Sequence, residues 1–290
     1  MVNMNNKVLI VGKSGYIAGA LGDFLETNTN NIIKYSSSSN VHSDIKLNLQ
    51  NMNDFNYKQI EDIDVVYMLA GISSPDFCSE QQKLCREINV IGTKKFISVC
   101  LKHQKKVIFA SSDVVYGQKE KAVDEQTMTY SPIGIYGQMK QEIEEYFQND
   151  KNFKSTRFSY VFSRDDKFTK YLYECEKNNT KASIFHPLKR SIISLSDVLT
   201  SLAELPNLWD KIESPFVNFC GHELISRLDI AKSIQRLCLP QLKYEVVKPS
   251  TSFYEARPET INMKSIFLKK ILKRNIETLD EMVKNSCPKT

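Results

Sequence analysis

Lys106-Val107-Ile108-Phe109-Ala110-Ser111-Ser112 is a short apolar run closed by two hydroxyls, and its reading decides the fold. Apolar residues without polar alternation over so few positions read as a parallel strand buried on both faces. Twenty-four residues after Ser112 stands Tyr136, and four after that Lys140. A helix starting near Tyr136 puts both side chains on one face, one turn apart. A hydroxyl at a strand end, a phenol and an ammonium can then converge on one oxygen atom.

A free tyrosine titrates near pH ~10, too high for acid–base work at neutral pH. An ammonium about 5 Å away stabilises the phenolate by about 3 kcal/mol at an effective dielectric of about 20, roughly two pKa units. That predicts a phenol brought towards working pH by Lys140. Ser112 is placed to hold a carbonyl or carbinol oxygen. Such a trio suits hydride transfer between C–OH and C=O, with a nicotinamide as carrier. The Tyr-x-x-x-Lys spacing alone discriminates little, since Tyr173/Lys177 and Tyr244/Lys248 share it. Only Tyr136/Lys140 follows a strand that ends in Ser-Ser.

The chain has 290 residues, 41% hydrophobic and 25% charged, which describes a globular protein with a sizeable core. The net charge of +5 is spread without a basic block, so no nucleic-acid partner is expected. Cys78, Cys85, Cys100, Cys175, Cys220, Cys238 and Cys287 form no Cys-x-x-Cys pair and no zinc spacing, so no metal is expected. Buried free thiols in a reducing compartment are the expectation. The N-terminus lacks a cationic-then-apolar leader, and no apolar run approaches the ~18 residues of a membrane span. A cytoplasmic protein follows.

Working outward, Lys7-Val8-Leu9-Ile10-Val11 reads as a buried strand feeding Gly12-Lys13-Ser14-Gly15-Tyr16-Ile17-Ala18-Gly19 and then a helix. Strand, glycine turn and helix N-terminus make a pyrophosphate site, with Gly12, Ser14, Gly15, Tyr16 and Ile17 around it. Ile32-Ile33-Lys34-Tyr35 is a second strand. It ends in Ser36-Ser37-Ser38-Ser39 rather than in the carboxylate that takes the ribose hydroxyls of NAD. NADP is the expected cofactor, with NAD possible. Asp44 or Asn48-Leu49 is placed for the adenine, with Asn48-Leu49 favoured, and a helix is expected from Asn53. Asp64–Met68 is a further strand, and Leu69-Ala70-Gly71 is a small-residue end where backbone lies close to cofactor. One long helix is expected from about Ser79 to His103, carrying Asn89. Lys154–Phe158 is a sixth strand. Alternating strands and helices predict an α/β, Rossmann-like doubly wound parallel sheet over residues 1–162.

Residues 163–290 are less regular and read as a small C-terminal substrate-binding lobe interleaved with the last sheet elements. The expected elements are a helix over Asp166–Asn178, short strands around Ile184–Pro187 and Arg190–Ile193, a strand at Phe216–Phe219 and a Ser226-capped helix. His186 reads as structural. Arg190 and Arg257 are either diphosphate contacts, since guanidinium pairs with phosphate in a fork, or surface ion pairs.

These pieces together resemble the extended short-chain dehydrogenase/reductase family, in its sugar-nucleotide branch of dTDP-4-dehydrorhamnose reductase and NAD-dependent epimerase/dehydratase type. The resemblance rests on Gly12, Gly15 and Ala18; Leu69-Ala70-Gly71; Asn89-Val90-Ile91-Gly92-Thr93; Ser111-Ser112-Asp113-Val114-Val115-Tyr116-Gly117; Tyr136 with Lys140; Arg157; Arg190–Ile193 with Asp197-Val198; Asn218–Gly221; and Arg257-Pro258. It implies that Ser112, Tyr136 and Lys140 are catalytic. It also implies that the glycine loop, Leu69, Ala70, Gly71, Asn89, Ser111, Tyr136 and Lys140 bind cofactor, and that Ser73, Ser112, Asp113, Val114, Arg190 and Arg257 face substrate. Dehydratases of that family carry Asp-Glu after the catalytic hydroxyl residue. Here the pair is Asp113-Val114, which argues against dehydration. The implied activity is NAD(P)H-dependent reduction of a nucleotide-linked 4-keto-deoxysugar, a polysaccharide precursor. The alternatives are a 4-epimerase with retained NAD, or a non-catalytic dinucleotide sensor, against which the intact trio argues. A homodimer through the Asn89 and Tyr136 helices is a further implication.

Overall fold

The short apolar runs become strands because nothing polar in them needs water. β1 (Lys7–Val11) is buried along its length: Val8 and Ile10 enter one apolar cluster, Leu9 and Val11 another. In the computed structural model, which describes residues 5–38, 44–53 and 55–287, it lies inside a seven-stranded parallel sheet. Its partners are β2 (Ile32–Ser37), β3 (Ile45–Lys46), β4 (Val65–Met68), β5 (Lys106–Ser112) and the strands Phe153–Phe158 and Phe216–Phe219. The order is Phe216–Phe219, Phe153–Phe158, β5, β4, β1, β2, β3. The chain therefore steps outward from β1 to β3 and then restarts on the other side of β1. That reversal opens a crevice between the carboxyl ends of β1 and β4.

Two long predicted helices take other forms. The segment expected as one helix over Ser79–His103 is divided into α2 (Pro75–Glu80), α3 (Gln82–Arg86), a π-helical turn at Glu87–Gly92 and α4 (Thr93–Lys102). Gln81, at φ −115° and ψ 50°, interrupts the ladder between α2 and α3. At Gly92 a Cβ would lie 1.8 Å from the Leu49 carbonyl oxygen, so only glycine lets the two backbones pass. The helix expected from Asn53 is a single 3₁₀ turn, Tyr57–Ile60, capped by the Asn56 side chain. Ser39 and Asp54 lie outside the described residues.

Phe216–Phe219 forms as read and pairs with Phe153–Phe158 in the main sheet. A second sheet, in the order Ile225–Ser226, Lys189–Arg190, Thr260–Met263, Lys119–Val123, draws its last strand from just after β5. The charged Lys119-Glu120-Lys121 gives no strand signal in the sequence. The helix Lys167–Lys177 is capped by Asp166, and Arg227–Leu237 opens with a reciprocal Ser226/Asp229 capping box. All seven cysteines are buried and unpaired by disulfides. Among the described residues no helix is long and apolar enough to cross a membrane.

Candidate functional site

The crevice is built from the first glycine loop. Gly12, at φ 95°, sends its N–H to the Ser36 carbonyl (3.0 Å), and a Cβ there would meet the Ala70 Cα at 2.9 Å. The ends of β1, β2 and β4 are thus held together. Gly15 precedes α1 (Tyr16–Asn28), whose first amides carry no side-chain cap. An uncapped N-terminus of this kind offers N–H groups and a partial positive charge to an anion.

Two cavities lie along this edge. One, of about 250 Å³, is lined by Gly12, Ser14, Ser36, Ser37, Asn48 and Leu49 among others. The second, of about 310 Å³, is lined by Tyr16, Ile17, Ser73, Ser112, Tyr136 and Lys140 among others. They meet at Gly15, Leu69 and Gly71, so one groove runs the length of the sheet edge. Two buried hydroxyls, Ser36 Oγ and Ser111 Oγ, have no hydrogen-bond partner among the described residues. Ser36 lines the first cavity and Ser111 the second. A dinucleotide lying in the groove fits this arrangement, because buried hydroxyls are normally satisfied.

The presumptive adenine contacts separate cleanly. Asp44 is committed, its carboxylate accepting the Tyr35 N–H at 2.8 Å, whereas Asn48 and Leu49 line the cavity. Asn89 does not line either cavity. Its amide accepts the Ile72 N–H at 2.8 Å and donates to the Ile72 carbonyl at 2.9 Å, a backbone-like clasp that shapes the loop after Gly71. Its role is to position that loop.

α5 (Gly134–Phe147) begins two residues before Tyr136 and sets Tyr136 and Lys140 on the second cavity. Lys140 Nζ donates to the Ala110 carbonyl at 2.6 Å and lies 5.8 Å from the Tyr136 ring centroid. Burial pulls Lys140 down to about 8, against the opposing pull of Glu144. Burial also pushes Tyr136 above its ordinary value, and the charge on Asp113 and the Cys78 thiol act in the same direction. Burial thus acts on the phenol in the free protein against the lowering expected from Lys140. Taking the phenolate out of water outweighs the ammonium at this distance.

Ser112 Oγ accepts the Val114 N–H at 3.4 Å and donates to Asp113 at 3.1 Å. Asp113 is buried; it also receives the Ser159 hydroxyl at 3.1 Å and lies 3.5 Å from Arg190 Nε. Val114 is half-buried against the apolar cluster that contains Val115, Tyr116 and Met263. Arg190 also donates from Nη1 to the Lys189 and Glu259 carbonyls and from Nη2 to the Pro258 carbonyl. Arg257 pairs with Asp76 of α2 and stacks 4.2 Å over Phe253. The surface-ion-pair alternative thus fails for Arg190, whose ion pair is buried.

A third arginine joins them. Arg190 is pulled down first by burial, is supported by Asp113, and is opposed by Arg227 and Arg257. Arg227 feels Arg257, Tyr160 and Asp166 in turn. The sequence reading misses Arg227, which looks like the first residue of an ordinary capped helix. No sequence signal singles it out, because the strand before this helix joins the sheet of Arg190 only through tertiary pairing. Tyr16 links the glycine loop to this side, donating to Ser163 Oγ at 2.5 Å. His186 is held by its own backbone N–H to Val247, a structural contact.

Comparison with known proteins places this architecture. The model of the NAD dependent epimerase/dehydratase family matches residues 8–173. UDP-glucose 4-epimerase 3 of Oryza sativa subsp. japonica is 34% identical over 86 residues, 29% of this chain and 23% of that protein. The matched stretch is thus under a quarter of that relative. A hypothetical dTDP-4-dehydrorhamnose reductase from Sulfolobus tokodaii superposes with a TM-score of 0.80 at 24% identity, over 96% of this chain and 99% of that one. MoeE5, solved with UDP-glucose and NAD, gives 0.79 at 18%, over 96% and 97%. UDP-glucuronic acid 4-epimerase from Bacillus cereus, with UDP-glucuronic acid and NAD, gives 0.78 at 20%, over 97% of both chains. Identities this low speak for the fold, while the family model covers more than half of the sequence. With its glycine turn, switch-point groove and Ser–Tyr–Lys wall, the chain belongs to the NAD dependent epimerase/dehydratase family.

Proposed function

We propose that this chain is an NAD(P)H-dependent reductase of a nucleotide-linked 4-keto-deoxysugar. The observation that carries the reading is the groove itself: Ser112, Tyr136 and Lys140 line one end of a cavity continuous with a dinucleotide-shaped cradle. The bound dihydronicotinamide supplies the hydride. Tyr136 gives its phenolic proton to the carbonyl oxygen, Ser112 hydrogen-bonds that oxygen, and Lys140 holds the ribose hydroxyls. Arg190, Arg227 and Arg257 supply the positive charge that receives the diphosphate. Residues 1–162 carry the cofactor and 163–290 the substrate lobe. Val114 leaves the reaction without the second carboxylate that dehydration needs.

The end of β2 favours NADP. Ser36 and Ser37 offer hydroxyls, and Lys13 Nζ sits 4.1 Å over the neighbouring Tyr35 ring. A cation and hydroxyls suit a 2′-phosphate. NADPH is expected to bind about tenfold or more tighter than NADH, as charged hydrogen bonds contribute ~1.5–3 kcal/mol, and Lys13→Glu is expected to erase the difference. Fluorescence titration with both cofactors measures this; equal affinities would sink the NADP assignment.

Lys140 gives a pH signature. Its ammonium form is fully present well below about 8 and is lost as pH rises through that value. NADPH affinity is therefore expected to fall above about pH 8, and Lys140→Met to remove that limb. A flat wild-type profile would contradict the ribose-holding role.

The 34% identical stretch shared with a UDP-glucose 4-epimerase supports a second reading, a 4-epimerase with retained NAD. Mass spectrometry and absorbance of ligand released on denaturation separate the two. An exchangeable site with NADPH consumption on 4-keto nucleotide sugars supports the reductase. Stoichiometric retained NAD, with turnover without added NADPH, supports the epimerase.

A further inference from the structure

Asp113 stands between the catalytic serine and the arginine cluster. Its Oδ1 accepts the Ser112 hydroxyl at 3.1 Å, and its Oδ2 accepts the Ser159 hydroxyl at 3.1 Å with Arg190 Nε at 3.5 Å. Burial pushes the Asp113 carboxyl up, and the Arg190 charge, the Ser159 and Ser112 hydroxyls and the Val114 N–H pull it the other way. These contacts favour the carboxylate form in the free protein. This arrangement conflicts with ketone reduction. A hydroxyl has one proton. While the Ser112 proton points at Asp113, Ser112 can offer a substrate oxygen only lone pairs, and a ketone oxygen needs a donor.

Arg190 is the lever. Its Nη1 is tied to two backbone carbonyls and its Nη2 to one, so an incoming anion meets the remaining Nη2 N–H and competes for the long Nε contact to Asp113. A diphosphate held there brings two negative charges towards a buried carboxylate and shares the only cation paired with it in the structure described. Both effects favour the neutral acid.

We propose that Asp113 is a positioning residue that couples diphosphate binding to the catalytic hydroxyls. When an anion engages Arg190, Asp113 takes up a proton from solvent and donates it in a hydrogen bond to Ser112 Oγ. The Ser112 O–H then turns to the substrate oxygen. This rests on reading the arginine cluster as the diphosphate site. The groups facing Asp113 are Arg190 from the small sheet, Ser159 after the Phe153–Phe158 strand, the Tyr136 phenol from α5 and the Cys220 thiol after Phe216–Phe219. Arg190 is the cation among them. The phenol and the thiol are held up first by burial, and the Asp113 charge adds to this. Neutralising Asp113 thus also removes a negative charge from beside Tyr136, easing its loss of a proton to substrate.

The test is calorimetric binding of UDP-glucose and of dTDP-glucose in buffers of different ionisation enthalpy. Both phosphates of these probes are esterified and stay ionised near neutral pH, so any proton taken up goes to the protein. The expected result is net uptake of up to about one proton per bound ligand, with affinity strengthening as pH falls. Asp113→Asn, which keeps the size and removes the titratable carboxyl, is expected to bind with uptake near zero. Ser112→Ala is expected to keep the uptake. Binding without net uptake in the wild type overturns the coupling and leaves the proposed function standing. Unchanged uptake in Asp113→Asn does the same. Binding of neither nucleotide sugar overturns both together. Should the Asn variant fail to fold, a pH-independent wild-type affinity still overturns the coupling.

Discussion

Tyr136→Phe is expected to lower turnover by about 10²–10⁴-fold, the usual worth of a positioned acid, while NADPH affinity and the fold are retained. The substitution keeps the ring that packs against the apolar core of α5 and removes only the hydroxyl. Burial holds the phenol above its ordinary value, so it is protonated at neutral pH and ready to act as an acid towards a ketone. The loss corresponds to about 3–5 kcal/mol of transition-state stabilisation. NADPH oxidation with the active nucleotide sugar measures it, and circular dichroism checks the fold. A variant retaining more than about a tenth of wild-type turnover would remove Tyr136 from the chemistry.

The largest stability effect is expected at Glu144. Arg157 is fully buried, and its Nε and Nη2 meet the Glu144 carboxylate at 3.0 and 2.7 Å. Glu144 also accepts the Ser155 hydroxyl at 2.7 Å. This pair ties α5, one turn beyond Lys140, to the strand Phe153–Phe158. Removing one partner leaves a buried charge without its counter-ion, which costs about 3–5 kcal/mol. The guanidinium also lies 4.0 Å over Phe216 and donates to Tyr116, so it has no route to solvent. Glu144→Ala is therefore expected to lower unfolding free energy by that amount in urea titration. The Glu144→Leu/Arg157→Met pair is expected to lose less than Glu144→Ala alone, because it removes both charges. A Glu144→Ala loss below about 1 kcal/mol would show that water reaches the pair.

Much of this protein is legible before folding. The apolar run Lys106–Ala110 and its counterparts Lys7–Val11 and Val65–Met68 announce buried parallel strands, because continuous hydrophobicity is a local property of the chain. The glycine turn after Val11 and the Tyr136–Lys140 spacing are local as well, and so the groove and its wall could be anticipated. The Lys119–Val123 strand could not. It is charged and its middle three residues are exposed, and it exists because Thr260–Met263, far along the sequence, pairs with it. The passage of the Leu49 backbone over Gly92 is likewise a long-range contact that the helix pattern does not announce.

The sequence by itself determined which chemical groups are present, their spacing along strands and helices, and the alternation that makes a parallel sheet with its ligand edge. Tertiary structure alone decided their charge and their company. It set Tyr136 upward where the Lys140 spacing pointed downward, brought Arg227 to Arg190 and Arg257, and placed Asp113 between Ser112 and an arginine some eighty positions away. The reason is physical. Spacing along a helix or strand is fixed by bonded geometry, whereas the energy of a charge depends on how much water has been removed around it and on which opposite charge packing has brought within reach.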